Sequence, residues 1–453
     1  MVEFGRIISQ GRPIYSGISD GPYYFIPYMP LFLVVQGWGM KFFQDPWFFG
    51  RCLALVGYLG CAVLLGAWGF RRWNFWATSV LVFLFLLSPT CAAWGSTVRA
   101  DTTYLFIHFS AFLILAKVSE KEEGKKKGRT NAAALMAAGF LTAIAILVKQ
   151  TAVTLIVAYF FYACLKKRWQ NLFFFLPCAL VPVVMTVLYL QLSSAGIFLK
   201  DTFFWAPFGY DFHLLRFFLV RSFWPECGWL AAAVLLTFLH GRASDWPKFQ
   251  VVFSVFWLLG LGRLTSAENY YMEFILYGIY FLGEGWFRKT KTDSFKIRTK
   301  GRGETFKKDR IISRWAIIGL MGIGFVSLSF LPWPAPPSPE VCEMKRESLK
   351  FFQIPGDYLA LDMDLPLMAG RRIWIPPLAF THLVQKGLWS PDPLIQDIKN
   401  HKFKLIELYD IPQQYLLPPL VDGEIQKDYR VISNQYGRRW YVPRRVNLKN
   451  PTS

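Results

Sequence analysis

The stretch "FFGRCLALVGYLGCAVLLGAWGFRRW", residues 48–73, decides the fold. Its apolar part, 48–69, is long enough to cross a bilayer core of roughly 30 Å as a helix. It shows no strand-like alternation, and it stops at the basic "FRRW" of 70–73. Similar runs follow at 75–93, 102–117, 131–148, 151–165, 171–192, 228–240, 249–262, 270–287 and 315–332, and a further apolar piece, 23–43, carries Pro27 and Pro30. The whole chain has 453 residues, 54% of them hydrophobic and 18% aromatic, which excludes an ordinary soluble domain. In lipid only a helix or a closed barrel satisfies its own backbone. The expected fold is therefore mainly α, a polytopic membrane protein with about ten transmembrane helices.

The net charge of +20 would suit nucleic acid, but its distribution argues against that partner. The Lys and Arg residues gather in short loops: "FRRW" at 70–73, "EKEEGKKKGR" at 120–129, "KKRW" at 166–169, and a long basic segment at 288–310. These alternate with poorly basic loops, as the positive-inside rule requires. The basic loops then face the cytoplasm in a cytoplasmic (inner) membrane. The outer face receives the loops at Arg99 and Asp101, at Lys149 and Gln150, at 193–227 and at 263–269, together with the chain from 333 onward. The N-terminus stays open at this point. "MVEFGRIISQGRPIY" has no apolar signal region, so Met1 is cytoplasmic if 23–43 crosses the membrane and outside if it lies on the surface.

After "LPWPAPPSP" at 331–339, read as a stiff extended exit, the chain changes character. Strand-like pieces at 357–364, 402–410 and 438–443 mix with helical ones at 380–387 and 393–400, giving a small α/β or α+β domain. It contains no Gly-rich phosphate loop and no nucleophile elbow. The domain organisation expected is 1–47 as a partial first outer loop, 48–332 as the membrane domain and 333–453 as an extracytoplasmic domain. Cys52, Cys61, Cys91 and Cys178 lie in apolar runs, where Cys behaves as a small hydrophobe. Cys and His show no metal-ligand spacing, and a site built from oxygen ligands stays open.

Polar groups bordering membrane spans are costly unless they face a cavity or a partner. Four such places fall on the outer side: "YSGISDGPYYFIPYMP" at 15–30 with Asp20; "STVRADTTY" at 96–104 with Arg99 and Asp101; "LVKQTAV" at 147–153 with Lys149; and "GRLTSAENYYMEF" at 262–274 with Arg263, Glu268, Asn269, Tyr270, Tyr271 and Glu273. Each has a plainer reading. Asp20 suits an ordinary turn, Arg99 and Asp101 suit a helix-capping pair, Lys149 suits snorkelling to the interface, and the two glutamates suit a solvated loop and a helix surface.

In this order, "ISQGRPIYSGISDGPYYFIPYMPLF" at 8–32, "FFGRCLALVGYLG" at 48–60, "VRADTTYLFIHFSAFLI" at 98–114, "LTAIAILVKQTAV" at 141–153 and "SAENYYMEF" at 266–274 resemble the GT-C superfamily of membrane glycosyltransferases. The nearest-looking branch is that of the aminoarabinose and protein O-mannosyltransferases. The resemblance implies transfer of a sugar from a polyprenyl-phosphate carrier to a glycan, lipid or protein acceptor at the outer face, among membrane lipids, with inversion and no firmly implied cofactor. It implies that 23–43 is a juxtamembrane helix, that Met1 lies outside, and that the family's first helix is absent. The family's usual catalytic acid would then fall upstream of Met1. Glu3 is too close to Gly11 to match it, and Asp20 is the substitute candidate. Arg99, Lys149 and Arg263 are expected to clamp the phosphate. Asp101, Glu268 and Glu273 would orient the cations or bind sugar hydroxyls, and Asn269, Tyr270 and Tyr271 would add hydrogen bonds and ring stacking. Two other readings remain: a non-catalytic assembly factor for surface polysaccharide, which an absent acid favours, and a transporter or flippase, against which the lack of a convincing repeat counts.

Overall fold

The computed structural model describes all residues except 16–20, 24–25, 44, 124–130, 205–208, 242, 264–266, 289–302, 332–336, 411–415 and 445–453. Asp20 and most of the proline exit therefore lie outside the described residues. The chain forms two units: one holds residues 1–5, 28–189 and 209–334, and the other holds 6–27, 190–208 and 335–453.

The first unit is a helical bundle. Among the described residues four helices are long and apolar enough to cross a membrane, or five if the pair Phe75–Leu86 and Pro89–Gly95, bent by 63°, counts as one span. The sequence predicts about ten. Other runs among the described residues form shorter apolar helices, Ala132–Val148, Gln150–Leu165 and Trp315–Phe330. Gln150–Val153 and Leu258–Gly262 are 3₁₀ turns, and Gly283–Phe287 is a π turn. The 23–43 segment also departs from expectation, since its helix is only Pro30–Gly39. Pro30 sits in the first helical turn after an extended Met29, where proline's missing N–H costs nothing.

Glycines let the helices approach closely. A Cβ on Gly57 of helix Phe48–Arg72 would come within 2.5 Å of the Thr102 backbone, and the Thr102 hydroxyl donates to the Ala54 carbonyl at 2.6 Å. Small residues at such crossings are what helix packing in lipid relies on. Helix Tyr271–Leu282 is buried at every residue, so it runs through the middle of the bundle.

The end of the bundle near residues 72, 120 and 284 is tied by charge. Arg72 pairs with Glu120 and, at 3.0 Å, with Glu284; Arg288 reaches Glu120 at 3.3 Å. Glu284 also accepts from the Trp68 and Trp73 indoles at 2.9 and 3.1 Å. Three of the segments bordering basic loops thus meet at one end.

In the second unit, strands β1 (Asp357–Ala360), β2 (Phe403–Tyr409), β3 (Tyr429–Gln435) and β4 (Arg438–Pro443) form one sheet in the order β1-β2-β4-β3. β1 and β2 are parallel, and the other pairs are antiparallel. The β3–β4 turn uses Tyr436 and Gly437, with φ of 55° and 68°, the tight hairpin turn whose twist suits the strands. Alternate residues feed two cores. Leu359, Ile406 and Tyr441 face one side with Trp374, Phe380 and Ile398; Tyr358, Leu405 and Trp440 face the other with Phe352 and Leu365. Between the strands, Arg438 pairs with Glu407 and with Asp362, each at 2.7 Å, and the Leu361 and Asp362 N–H groups donate to the second Glu407 oxygen at 2.9 and 3.0 Å.

Asp201, in the π turn Lys200–Phe204 of this unit, is only 1% exposed. Burial pushes its carboxyl up to about 7, against the Ile26 N–H and Lys200, which favour the charge. The folded state therefore takes up a proton that the unfolded chain releases near pH 4. Stability contributed here is full below that pH, falls as pH rises, and is lost above about 7, by on the order of 4 kcal/mol. Asp201→Asn should flatten this dependence and raise the melting temperature most above pH 7. An unchanged pH–stability curve for the variant, measured by thermal unfolding in detergent, would contradict the assignment.

Candidate functional site

Helix Asp101–Glu123 begins at the carboxylate around which the polar groups gather. Asp101 is 1% exposed. Its Oδ1 accepts from Lys149 Nζ and from Asn269 Nδ2, both at 2.5 Å, and its Oδ2 accepts from Arg99 Nε at 3.3 Å. Three chain segments, far apart in sequence, converge on one side chain.

Local structure explains the convergence. Lys149 sits in extended backbone between helix Ala132–Val148 and the 3₁₀ turn Gln150–Val153, so the chain break aims its amine sideways. Asn269 lies in the 3₁₀ turn Glu268–Tyr270, which leads into the buried helix Tyr271–Leu282. The Lys149 ammonium stands over the Tyr104 ring at 4.9 Å and the Tyr270 ring at 5.7 Å. The Arg99 guanidinium lies over Trp94 at 4.6 Å. Two cations against one carboxylate leave a net positive centre. It stands at the N-terminus of a helix, which itself favours anions.

A second layer supports the first. The Tyr104 hydroxyl donates to Glu273 Oε1 at 3.0 Å, and Thr154 donates to Glu273 Oε2 at 3.1 Å. Thr154 also meets His108 Nε2 at 3.2 Å, and His108 Nδ1 meets the Tyr277 hydroxyl. Both Glu273 oxygens are thus engaged within the protein, an arrangement that orients Tyr104 beneath Lys149.

Not every expected residue joins this group. Tyr271 is turned away, its hydroxyl donating to the Phe218 carbonyl at 3.0 Å. Arg263 is exposed, and its backbone forms an isolated bridge with Tyr210. Glu268 is half-buried and lies within electrostatic reach of Glu226, whose carboxylate accepts from Ser88 Oγ at 2.5 Å and Thr90 Oγ1 at 2.6 Å at the bend between two helices. Glu3 is buried in the helix Val2–Ser9. Trp94, Tyr104, Thr154, His108 and Glu226 were not singled out from sequence. The spacing Asp101, Tyr104, His108 does mark one face of a helix, and that polar stripe in an apolar run was the available signal. Among the described residues no group of three or more His, Cys, Asp or Glu comes together to hold a metal.

Glu120 and Asp101 sit near opposite ends of helix Asp101–Glu123. At 1.5 Å per residue the two charged clusters are about 28 Å apart, close to the thickness of a bilayer core. The fold and this centre define a helical membrane bundle with a positive polar centre at one end and an appended small α+β domain. The chain shares this fold with ArnT from Cupriavidus metallidurans, in the crystal structure bound to undecaprenyl phosphate (TM-score 0.62) and in that of the apo state (TM-score 0.57). In each case identity is 11%, with 97% of this chain and 92% of the other covered. No protein-family model matches the sequence, and no curated protein matches it.

Proposed function

We propose that the protein is a membrane glycosyltransferase that moves a sugar from a polyprenyl-phosphate carrier to an acceptor at the outer face of the cytoplasmic membrane. The observation that carries this reading is the net positive centre of Arg99, Asp101 and Lys149. In such a transfer the leaving lipid phosphate gains negative charge, and fixed cations stabilise it without reorganising. Arg99 and Lys149 bind the phosphate, Asp101 and Asn269 hold the two cations in register, and Tyr270 adds a ring face for the sugar. Glu273 acts from behind through Tyr104. The placement of Arg263 at the edge of the same outer loop suits a role in drawing in the donor rather than in holding it. An acceptor hydroxyl must also lose its proton to a positioned base; both Asp101 and Glu273 are committed elsewhere, so neither is assigned that task. Support for the lipid carrier comes from the shared fold with ArnT in complex with undecaprenyl phosphate.

The test is turnover of undecaprenyl-phosphate monosaccharides, radiolabelled in the sugar, by the purified protein in lipid vesicles supplied with membrane extract as acceptor source. The expected result is release of undecaprenyl phosphate with label in a new product. A complete lack of turnover across a panel of hexose and pentose donors, by protein that binds none of them, would sink the proposal.

A further inference from the structure

Helices Phe48–Arg72 and Asp101–Glu123 are both long and apolar enough to cross a membrane, and they pack on one another. At the end remote from Asp101, residues of both line a groove of about 350 Å³. Its walls are apolar, from Leu64, Ala67, Trp68 and Leu113, and its rim is basic, from Arg71 and Lys117. The order along each helix is the same. Lys117 lies one turn beyond Leu113, and Arg71 lies nearly two turns, about 10 Å, beyond Leu64. The charge therefore sits at the helix ends, and the apolar part reaches toward the middle of the membrane.

The rim cations are available to a ligand. The neighbouring cluster is balanced within itself, with Arg72 and Arg288 against Glu120 and Glu284. Arg71 and Lys117 are exposed, and among the described residues neither pairs with an acid. Two positive charges are thus in excess at the mouth. A second groove of about 250 Å³ shares Lys117 and adds Lys121. The wall is fixed in place, because Arg72 lies over the Trp68 ring at 4.6 Å and Glu284 accepts from the Trp68 indole at 2.9 Å. On the same helix face Ala67 leads into Val63, Leu59 and Val56, all exposed, at spacings of four, four and three residues. Snorkelling alone would place both cations at this level; the groove and the apolar strip behind it are what make a binding site.

We infer that this groove binds an anionic phospholipid of the leaflet opposite the Asp101 centre, with its phosphate between Arg71 and Lys117 and one acyl chain along the strip from Ala67 to Val56. Basic pockets between membrane helices suit anionic headgroups in this way. A zwitterionic lipid offers the same chain without net charge, and a free phosphate offers charge without a chain. The site stands on this end of the bundle alone and does not depend on sugar transfer; the proposed orientation makes the leaflet the cytoplasmic one.

The experiment uses the full chain in detergent, stripped of lipid and titrated with phosphatidylglycerol or phosphatidylcholine, with bound lipid counted by native mass spectrometry. Phosphatidylglycerol should bind about tenfold more tightly than phosphatidylcholine. Arg71→Gln and Lys117→Gln should each weaken it about fivefold, the effect of one cation beside an anionic headgroup. Ala67→Trp, which fills the groove and leaves the charge, should weaken it as much. Lys167→Asn removes an exposed cation from another basic loop, at a φ of 55° that suits asparagine, and should change nothing. Equal affinity for the two lipids, or an equal loss in Lys167→Asn, overturns the site in favour of diffuse charge. Wild-type affinity in Ala67→Trp overturns the groove. Displacement of the lipid by glycerol 3-phosphate would assign a phosphate site instead, and tighter binding of undecaprenyl phosphate, sensitive to the same three substitutions, would assign the groove to the carrier; either overturns the inference. The substituted side chains are all exposed, so each variant should fold, and its melting temperature in detergent checks that.

Discussion

Lys149→Ala should reduce sugar transfer by about a hundredfold to a thousandfold, the usual cost of removing one preorganised charge from a transition state, while the protein still inserts and folds. The fold survives because Asp101 keeps Arg99 and Asn269 as partners. The charge balance does not survive, since one cation against one carboxylate leaves a neutral centre with nothing extra for the phosphate. Lys149→Arg should recover only part of the rate, because the planar guanidinium does not reproduce a compact ammonium over Tyr104. Arg263→Ala should have a smaller effect that grows at low ionic strength, as suits an exposed charge. Full activity in Lys149→Ala, measured on material with wild-type expression and melting behaviour, would remove the clamp from the mechanism.

The second large effect concerns stability. Arg438→Met should destabilise the C-terminal domain by about 3–5 kcal/mol, because it leaves a buried carboxylate without its counter-ion. Burial works against the Arg438 charge, and the adjacent Glu407 and Asp362 carboxylates outweigh it, raising its pKa. The triad joins β2, β4 and the turn after β1, so its loss is felt across the sheet. Replacing Glu407 by Gln as well should recover part of the stability. Urea unfolding followed by exchange in the β2 and β4 peptides measures both. A loss below 1 kcal/mol for Arg438→Met would show that the triad is better solvated than its burial suggests.

How much of this could be read beforehand differs by scale. The apolar runs mark the bundle, and the stranded polar groups Arg99, Asp101, Lys149 and Asn269 do come together, because an intramembrane charge has few ways to be satisfied other than with its own kind. Glu273 was legible for the same reason. Arg263 and Tyr271 were not separable from their neighbours, since a few residues of loop decide which way each side chain turns and no pattern records it. The turns at 258–262 and 283–287 carry no proline, so hydropathy runs straight through them, whereas Lys149 and Gln150 already mark the boundary beside 150–153. In the tail, β3 escaped notice because most of its residues are polar and solvent-facing. The hydrogen bond from the Tyr23 hydroxyl to Asp397 joins residues more than three hundred positions apart, beyond the range of any local rule.

Helix Tyr271–Leu282 has no face toward lipid. Lipid therefore does not constrain its composition, and it can carry Glu273, Tyr277 and Tyr280 at a depth where an outer helix would need leucine. The same shelter makes it a poor candidate for independent insertion, since on its own it would bring a carboxyl into hydrocarbon. Its place becomes favourable only once helix Asp101–Glu123 and its neighbours supply Tyr104, Thr154 and His108. The helix that stands behind the polar centre is thus the piece whose arrival depends on the others.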